Sequence, residues 1–326
     1  MRSIFFLSGL VLSTSAFANS VDPQALATKV KALWQAGDAE AAHALLTPLV
    51  TKKTKDAQLL ALLGQTEAML NNADKAEDLL ENAVKLESNN ADYQHWYATV
   101  SCNQAASAGM FSALGYAKRC KKAYETALKL APENPRSYVA LGQFYAQAPG
   151  IAGGDRDEAL KLVAQLKKLD KLQGELLQLR VSDLADDAGF KQLLAETELL
   201  SSRPELYFQR AMQFAHAKNY PDAISALQQA LSQPAADDDA VISQAESRYQ
   251  LGRIAVLSKT AVAEGIAAMQ QYLAQTPDKA RIDWAKLRLA QLHLLADDKA
   301  KADAILQPLL AATTDDKLKD ELKKLL

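Results

Sequence analysis

The residues able to do acid–base, nucleophilic or metal chemistry are few and scattered in this chain. Its four histidines, His43, His95, His216 and His293, lie far apart. None has a second metal-ligating side chain at the helical spacing a zinc site uses, so they read as surface or groove residues. There is no Gly-x-Ser-x-Gly elbow to present a nucleophilic serine. One glycine-rich segment, Gly150-Ile151-Ala152-Gly153-Gly154, could turn backbone amides toward an anion at a helix start. A nucleotide loop would need a following Lys and Ser or Thr, and a preceding strand. Here Asp155 and Glu158 follow instead, in the pattern of a helix cap, and Asp155 would repel a phosphate. Carboxylates alternate with lysines, as from Asp315 to Lys324, which is the pattern of a solvated helix face. Trp34, Trp96 and Trp284 fall at helical packing positions and read as core rather than as a ligand cage. The expectation is a chain that performs no chemistry and needs neither metal nor cofactor.

The elements that carry these residues are helices. The chain has 326 residues, of which only 13 are glycine, against a usual share of about 7%. Aromatic residues make up 6% and apolar residues 49%, too few of the former for a β-rich fold and too many of the latter for disorder. Lysine and arginine total 37 against 39 acidic residues, giving a net charge of −2 with no basic stripe; nucleic acid is not an expected partner. After residue 24, apolar residues recur at three- and four-residue spacing almost throughout. Breaks are short and carry Gly, Pro, Asn or Asp.

The N-terminus has a different pattern. Arg2 precedes an apolar run, Ile4 to Leu12, and Ala16-Phe17-Ala18 offers the small-x-small site of a signal peptidase. The reading is a signal peptide over residues 1–18, cleaved after Ala18, and a periplasmic mature chain with no membrane span. The alternative is an uncleaved anchor, although the run is shorter than the ~20 residues a span needs. An exported chain meets an oxidising space, which favours pairing its two cysteines, Cys102 and Cys120. A chain reversal near Gly109 to Gly115 would bring them onto facing helices; the alternative is two buried reduced thiols.

A period runs through the helical region. Residues 57–90 read as two helices, with Leu60, Leu63 and Gly64 on the first, Ala76, Leu80 and Ala83 on the second, and Asn71-Asn72 between. Residues 204–237 repeat the arrangement with Tyr207, Ala211 and Phe214, then Tyr220, Ala223, Leu227 and Ala230. Tyr138, Leu141, Gly142 and Tyr145 open another unit, and Trp284 and Leu287 a further one. Small residues at the eighth and twentieth positions let paired helices approach; large ones fill the space between pairs.

This 34-residue pattern resembles the tetratricopeptide repeat family over most of the chain. The resemblance implies an all-α fold, an α-solenoid of antiparallel helix pairs, with Asp315 to Leu326 as the helix that caps its last apolar face. The match is good at 57–90 and 204–237 and poor at 24–50 and 171–203. Two insertions interrupt it, near 105–114 and at 149–154, and both are candidates for binding loops. Pro204 is read as a boundary between an N-terminal array, 19–203, and a C-terminal array, 204–326.

In this family the first helix of each pair lines a groove. The resemblance therefore implies groove residues at Gln58, Gln65 and Met69, at His95, Thr99 and Asn103, at Arg136, Gln143 and Gln147, and at Phe208, Met212 and His216. His95 and Thr99 stand where the carboxylate-clamp version of the family has two of its charged or amide residues. The implied function is a protein-interaction scaffold receiving a protein or extended peptide. The alternatives are an assembly factor or chaperone for envelope proteins or cytochromes, and a small-molecule-binding accessory to a transporter.

Overall fold

The structure, a computed structural model, describes residues 22–275 and 281–326. The expected signal peptide lies outside the described residues. All regular structure among the described residues is helical. The chain forms two compact units, one ending at Leu130 and the other beginning at Ala131.

The first unit contains α1 (Pro23–Gln35), α2 (Ala39–Leu46), α3 (Ala57–Met69), α4 (Ala73–Leu86), α5 (Ala91–Ser107) and α6 (Met110–Leu130). Aspartate or asparagine starts most of them. Asp22, Asp38, Asp56 and Asn90 each accept a hydrogen bond from a first-turn amide, satisfying donors the helix itself leaves open. Leu26, Val30, Ala42, Leu46, Leu62 and Leu63 form a shared core for α1, α2 and α3. Gly64 shows why the eighth position is small. A Cβ there would stand 2.8 Å from Leu80 Cγ, so α3 and α4 could not pack as they do.

The second unit contains α7 (Pro135–Gln147), α8 (Arg156–Leu169), α9 (Lys171–Val181), α10 (Asp187–Glu196), α11 (Pro204–His216), α12 (Tyr220–Ser232), α13 (Asp238–Ser258), α14 (Val262–Ala274), α15 (Ile282–Leu295), α16 (Lys299–Ala312) and α17 (Asp316–Lys323). Helices α11/α12, α13/α14 and α15/α16 pack as pairs, and α13 also packs on both α11 and α15. First helices thus lie beside first helices. Leu318 and Leu322 of α17 are buried with Leu287, Leu306 and Leu309, so this helix closes the apolar face of the last pair. Residues 171–203 depart from the pair pattern. Helix α9 packs against α7, α8 and α11, whereas α10 buries only Leu193. Residues 203 and 204 lie inside this second unit.

The extra residues near 105–114 do not make a loop. They lengthen α5 to 17 residues and α6 to 21, with the chain reversing at Ala108-Gly109 and Gly115 inside α6. Those at 149–154 do form a loop, with a short 3-10 turn over Gly150–Ala152. No described helix is long and apolar enough to cross a membrane.

Candidate binding surfaces

In the first unit the implied groove residues divide into two groups. Gln58 is half-buried, and Met69 and Asn103 are exposed. Gln65 is buried on α3. His95 is buried too, its ring edge-on to Tyr124 with centroids 5.3 Å apart. Thr99 Oγ1 and the Tyr124 hydroxyl lie 3.0 Å apart. His95 and Thr99 therefore knit α5 to α6. His293 on α15 is also buried, and burial pushes its imidazole below the usual range. The expectation that all four histidines sit on a surface or in a groove is corrected at these two. A flat, weakly polar ring packs well between paired helices, and residue type alone did not reveal that.

In the second unit α7 carries Arg136, Gln143 and Gln147, of which Gln143 is half-buried and the others exposed. Helix α11 carries half-buried Phe208 and Met212, and exposed His216. Phe208 and Met212 rest on the core formed by Ala211, Ala223 and Leu227. The two groups are not in one place, because α7 and α11 each pack against α9, which stands between them. Within α11, Gln213 faces a different task. Its amide accepts from the Leu184 and Ala185 backbone and donates to Ser182 O at 2.9 Å, tying α11 to the end of α9.

Cys102 and Cys120 are joined by a disulfide, with Cα atoms 5.2 Å apart, across the α5–α6 pair. The same pair is tied to α4 through Glu77, which accepts from Ser101 Oγ at 3.2 Å and from Arg119 Nε at 3.0 Å.

Sequence reasoning missed several features, most of which join residues of different helices. Glu67 of α3 is fully buried, yet it accepts from Asn72 Nδ2 at 2.7 Å, lies 3.1 Å from His43 Nε2 and pairs with Lys75. Burial alone would raise its carboxyl; the bonds from Lys75 and Asn72 outweigh that and hold it below the usual range. Glu175 of α9, also buried, accepts from the Glu198 and Leu199 amides at 3.1 and 2.8 Å. Arg203 bonds both Glu205 and Asp237, linking the starts of α11 and α13. These contacts use polar and charged groups to tie segments together: Glu67, Glu175 and Arg203 each have hydrogen-bond partners in place.

Two cavities stand out among the described residues. One, of about 510 Å³ in the second unit, is lined by Asp186, Asp187, Arg210, Phe214 and Asp222 among others. Its arginine is already committed, lying over Phe190 at 3.9 Å and paired with Asp187. The other, of about 410 Å³, lies in the first unit between the 47–54 turn, α3 and α4. Among the described residues, no group of three His, Cys, Asp or Glu is placed to hold a metal ion.

No family model matches the chain, and no curated protein matches it. Solved structures do. Yeast Tom70 is 16% identical, with a TM-score of 0.59 over 89% of this chain and 58% of its own. A thermophilic tetratricopeptide-repeat protein from Thermus thermophilus is 16% identical, covering 69% of this chain and 98% of its own at a TM-score of 0.45. A tetratricopeptide-repeat protein from Parabacteroides merdae is 14% identical, covering 92% and 97% at 0.44. Together with the paired helices, the close approach at Gly64 and the capping helix α17, the likeness to Tom70 identifies the architecture. The chain has the tetratricopeptide-repeat fold, an all-α solenoid of antiparallel helix pairs.

Proposed function

We propose that this chain is a non-catalytic scaffold of a bacterial periplasm, exported by cleavage after Ala18, that receives an extended segment of a partner protein on its first-helix faces. One observation carries the binding reading. First helices pack beside first helices within a unit, as α13 does with α11 and α15, and leave a row of partly exposed side chains on stiff supports. Gln143 and Gln147 on α7 offer amide donors and acceptors, and Phe208 and Met212 on α11 offer apolar surface, two separate stations that one extended peptide could reach. A surface already held by its own core costs little ordering when it binds. The export reading is supported by the N-terminal pattern of Arg2, Ile4 to Leu12 and Ala16-Phe17-Ala18. A disulfide between the chain's two cysteines is in keeping with an oxidising compartment.

The test is crosslinked capture from an envelope extract, read by mass spectrometry. A single partner enriched by the native chain and lost with Gln143→Ala/Gln147→Ala supports the scaffold. A broad set of unrelated exported clients makes the chain an assembly factor instead. Fractionation provides the second arm: a mature chain beginning at Asn19 in the periplasmic fraction is expected, and a cytoplasmic full-length chain contradicts export.

A further inference from the structure

The cavity of the first unit has a lining that the peptide-binding reading does not use. Its floor is apolar: Leu60 and Leu63 from α3 and Leu79 from α4. Its rim is cationic, with Lys52 on the preceding turn and Lys75 and Lys85 on α4; no carboxylate lines it. Lys75 is engaged with buried Glu67, and Lys85 pairs with Glu81 at 2.9 Å on the exposed side of α4. Lys52 forms no ion pair among the described residues. The turn that carries Lys52 is held in shape. Thr51 N donates to Thr54 Oγ1 at 2.8 Å, and Thr54 N donates to Thr51 O at 3.0 Å. The wall is thus built before anything binds.

Size narrows the occupant. A volume of about 410 Å³ falls toward the lower end of the roughly 300–1,000 Å³ of small-molecule sites. A helix or a folded surface is too large for it. Charge narrows it further, since lysine ammonium groups at the mouth of an apolar floor favour one anionic head over a neutral or cationic one. We propose that this cavity is a small-molecule site for a monocarboxylate carrying an apolar chain. The chain lies on Leu60, Leu63 and Leu79, and the carboxylate meets Lys52 at the rim and draws Lys85 from its exposed pair with Glu81. The site lies between the 47–54 turn, α4 and the side of α3 that carries Leu60 and Leu63, and none of Gln58, Gln65 and Met69 lines it, so it stands or falls independently of peptide binding at those groove residues.

Calorimetric titration of the full chain with octanoate tests it. Saturable one-site binding is expected. Acetate, which lacks the chain, and octanol, which lacks the charge, are each expected to bind at least about tenfold more weakly. Lys52→Gln/Lys85→Gln, at exposed positions, should weaken octanoate about tenfold with an unchanged melting profile. Asn82→Asp places a carboxylate in the lining and should weaken it as well, whatever the double variant does to folding. Octanol binding as tightly as octanoate, octanoate binding unaffected by either variant, or no saturable binding at all would each overturn the proposal.

Discussion

Two repeats of this chain carry surplus residues, and the molecule deals with them in opposite ways. In the first unit the surplus is drawn into helix: α5 and α6 run to 17 and 21 residues, where α3 and α4 have 13 and 14. In the second unit α7 and α8 keep 13 and 14 residues, and the surplus stands outside them as the 149–154 loop. Local composition explains the contrast. Residues 105–114 are mostly Ala, Ser, Leu and other residues a helix tolerates, with Gly109 at the reversal. Residues 149–154 begin with proline and contain three glycines, so no helix can pass through them. The Cys102–Cys120 bond ties this longer pair covalently. A loop needs a defined path, which here comes from Asp155 N donating to Tyr145 O at 2.8 Å and from the left-handed backbone of Gly153.

The largest way to break this contrast is to remove the covalent tie. Cys102→Ser/Cys120→Ser should cost the first unit about 3 kcal/mol, for a closed loop of this size. Denaturant unfolding of native and variant chains, with and without reductant, checks it. Reductant should weaken the native chain and leave the variant unchanged. Next comes the loop. A Cβ on Gly154 would sit 1.7 Å from the Ala148 carbonyl oxygen, so Gly154→Ala must displace backbone. A loss of about 2 kcal/mol is expected, confined to α7 and α8 in hydrogen exchange. Asp155 caps α8 by accepting from the Asp157 and Glu158 amides at 3.0 and 3.1 Å; Asp155→Ala should cost about 1 kcal/mol by the same assay.

The smallest effect adds a pH axis. In the second unit an ion cluster, Arg203 with Glu205 and Asp237, ties the starts of α11 and α13. Arg203 and the Ala240 amide hold the Asp237 carboxyl down to about 2, below its ordinary 3.8. A carboxyl depressed on folding stabilises the fold above its unfolded value, and that contribution is lost as pH falls from about 4 toward 2. Asp237 is partly exposed, so solvent screening keeps the effect small. Thermal melts across this range should show Asp237→Asn with a shallower acid loss than the native chain.

Much of this architecture was legible before any coordinates. The three- and four-residue spacing marks the helices, and Ala83, Ala211 and Ala230 fall at fully buried positions as the repeat pattern requires. Asp155 caps the helix its sequence context suggests. What stayed hidden depends on which helix lies opposite which. Nothing around Glu67 announces that His43 and Lys75 will meet it in a fully buried site. His95 and Thr99 occupy first-helix positions that read as groove, yet Tyr124 of α6 packs across them. The lysine-rimmed cavity draws on a turn and two helices, and each segment alone is an ordinary surface.

The most direct test of the account compares faces rather than single residues. An immobilised library of extended peptides from exported proteins is titrated with three chains: native, the first-helix variant Gln143→Ala/Gln147→Ala/Met212→Ala, and a second-helix control, Lys161→Ala/Lys168→Ala. The account predicts that the first-helix variant loses at least about tenfold in affinity while the control binds as the native chain does. Equal binding by all three, or a loss confined to the second-helix control, would contradict it.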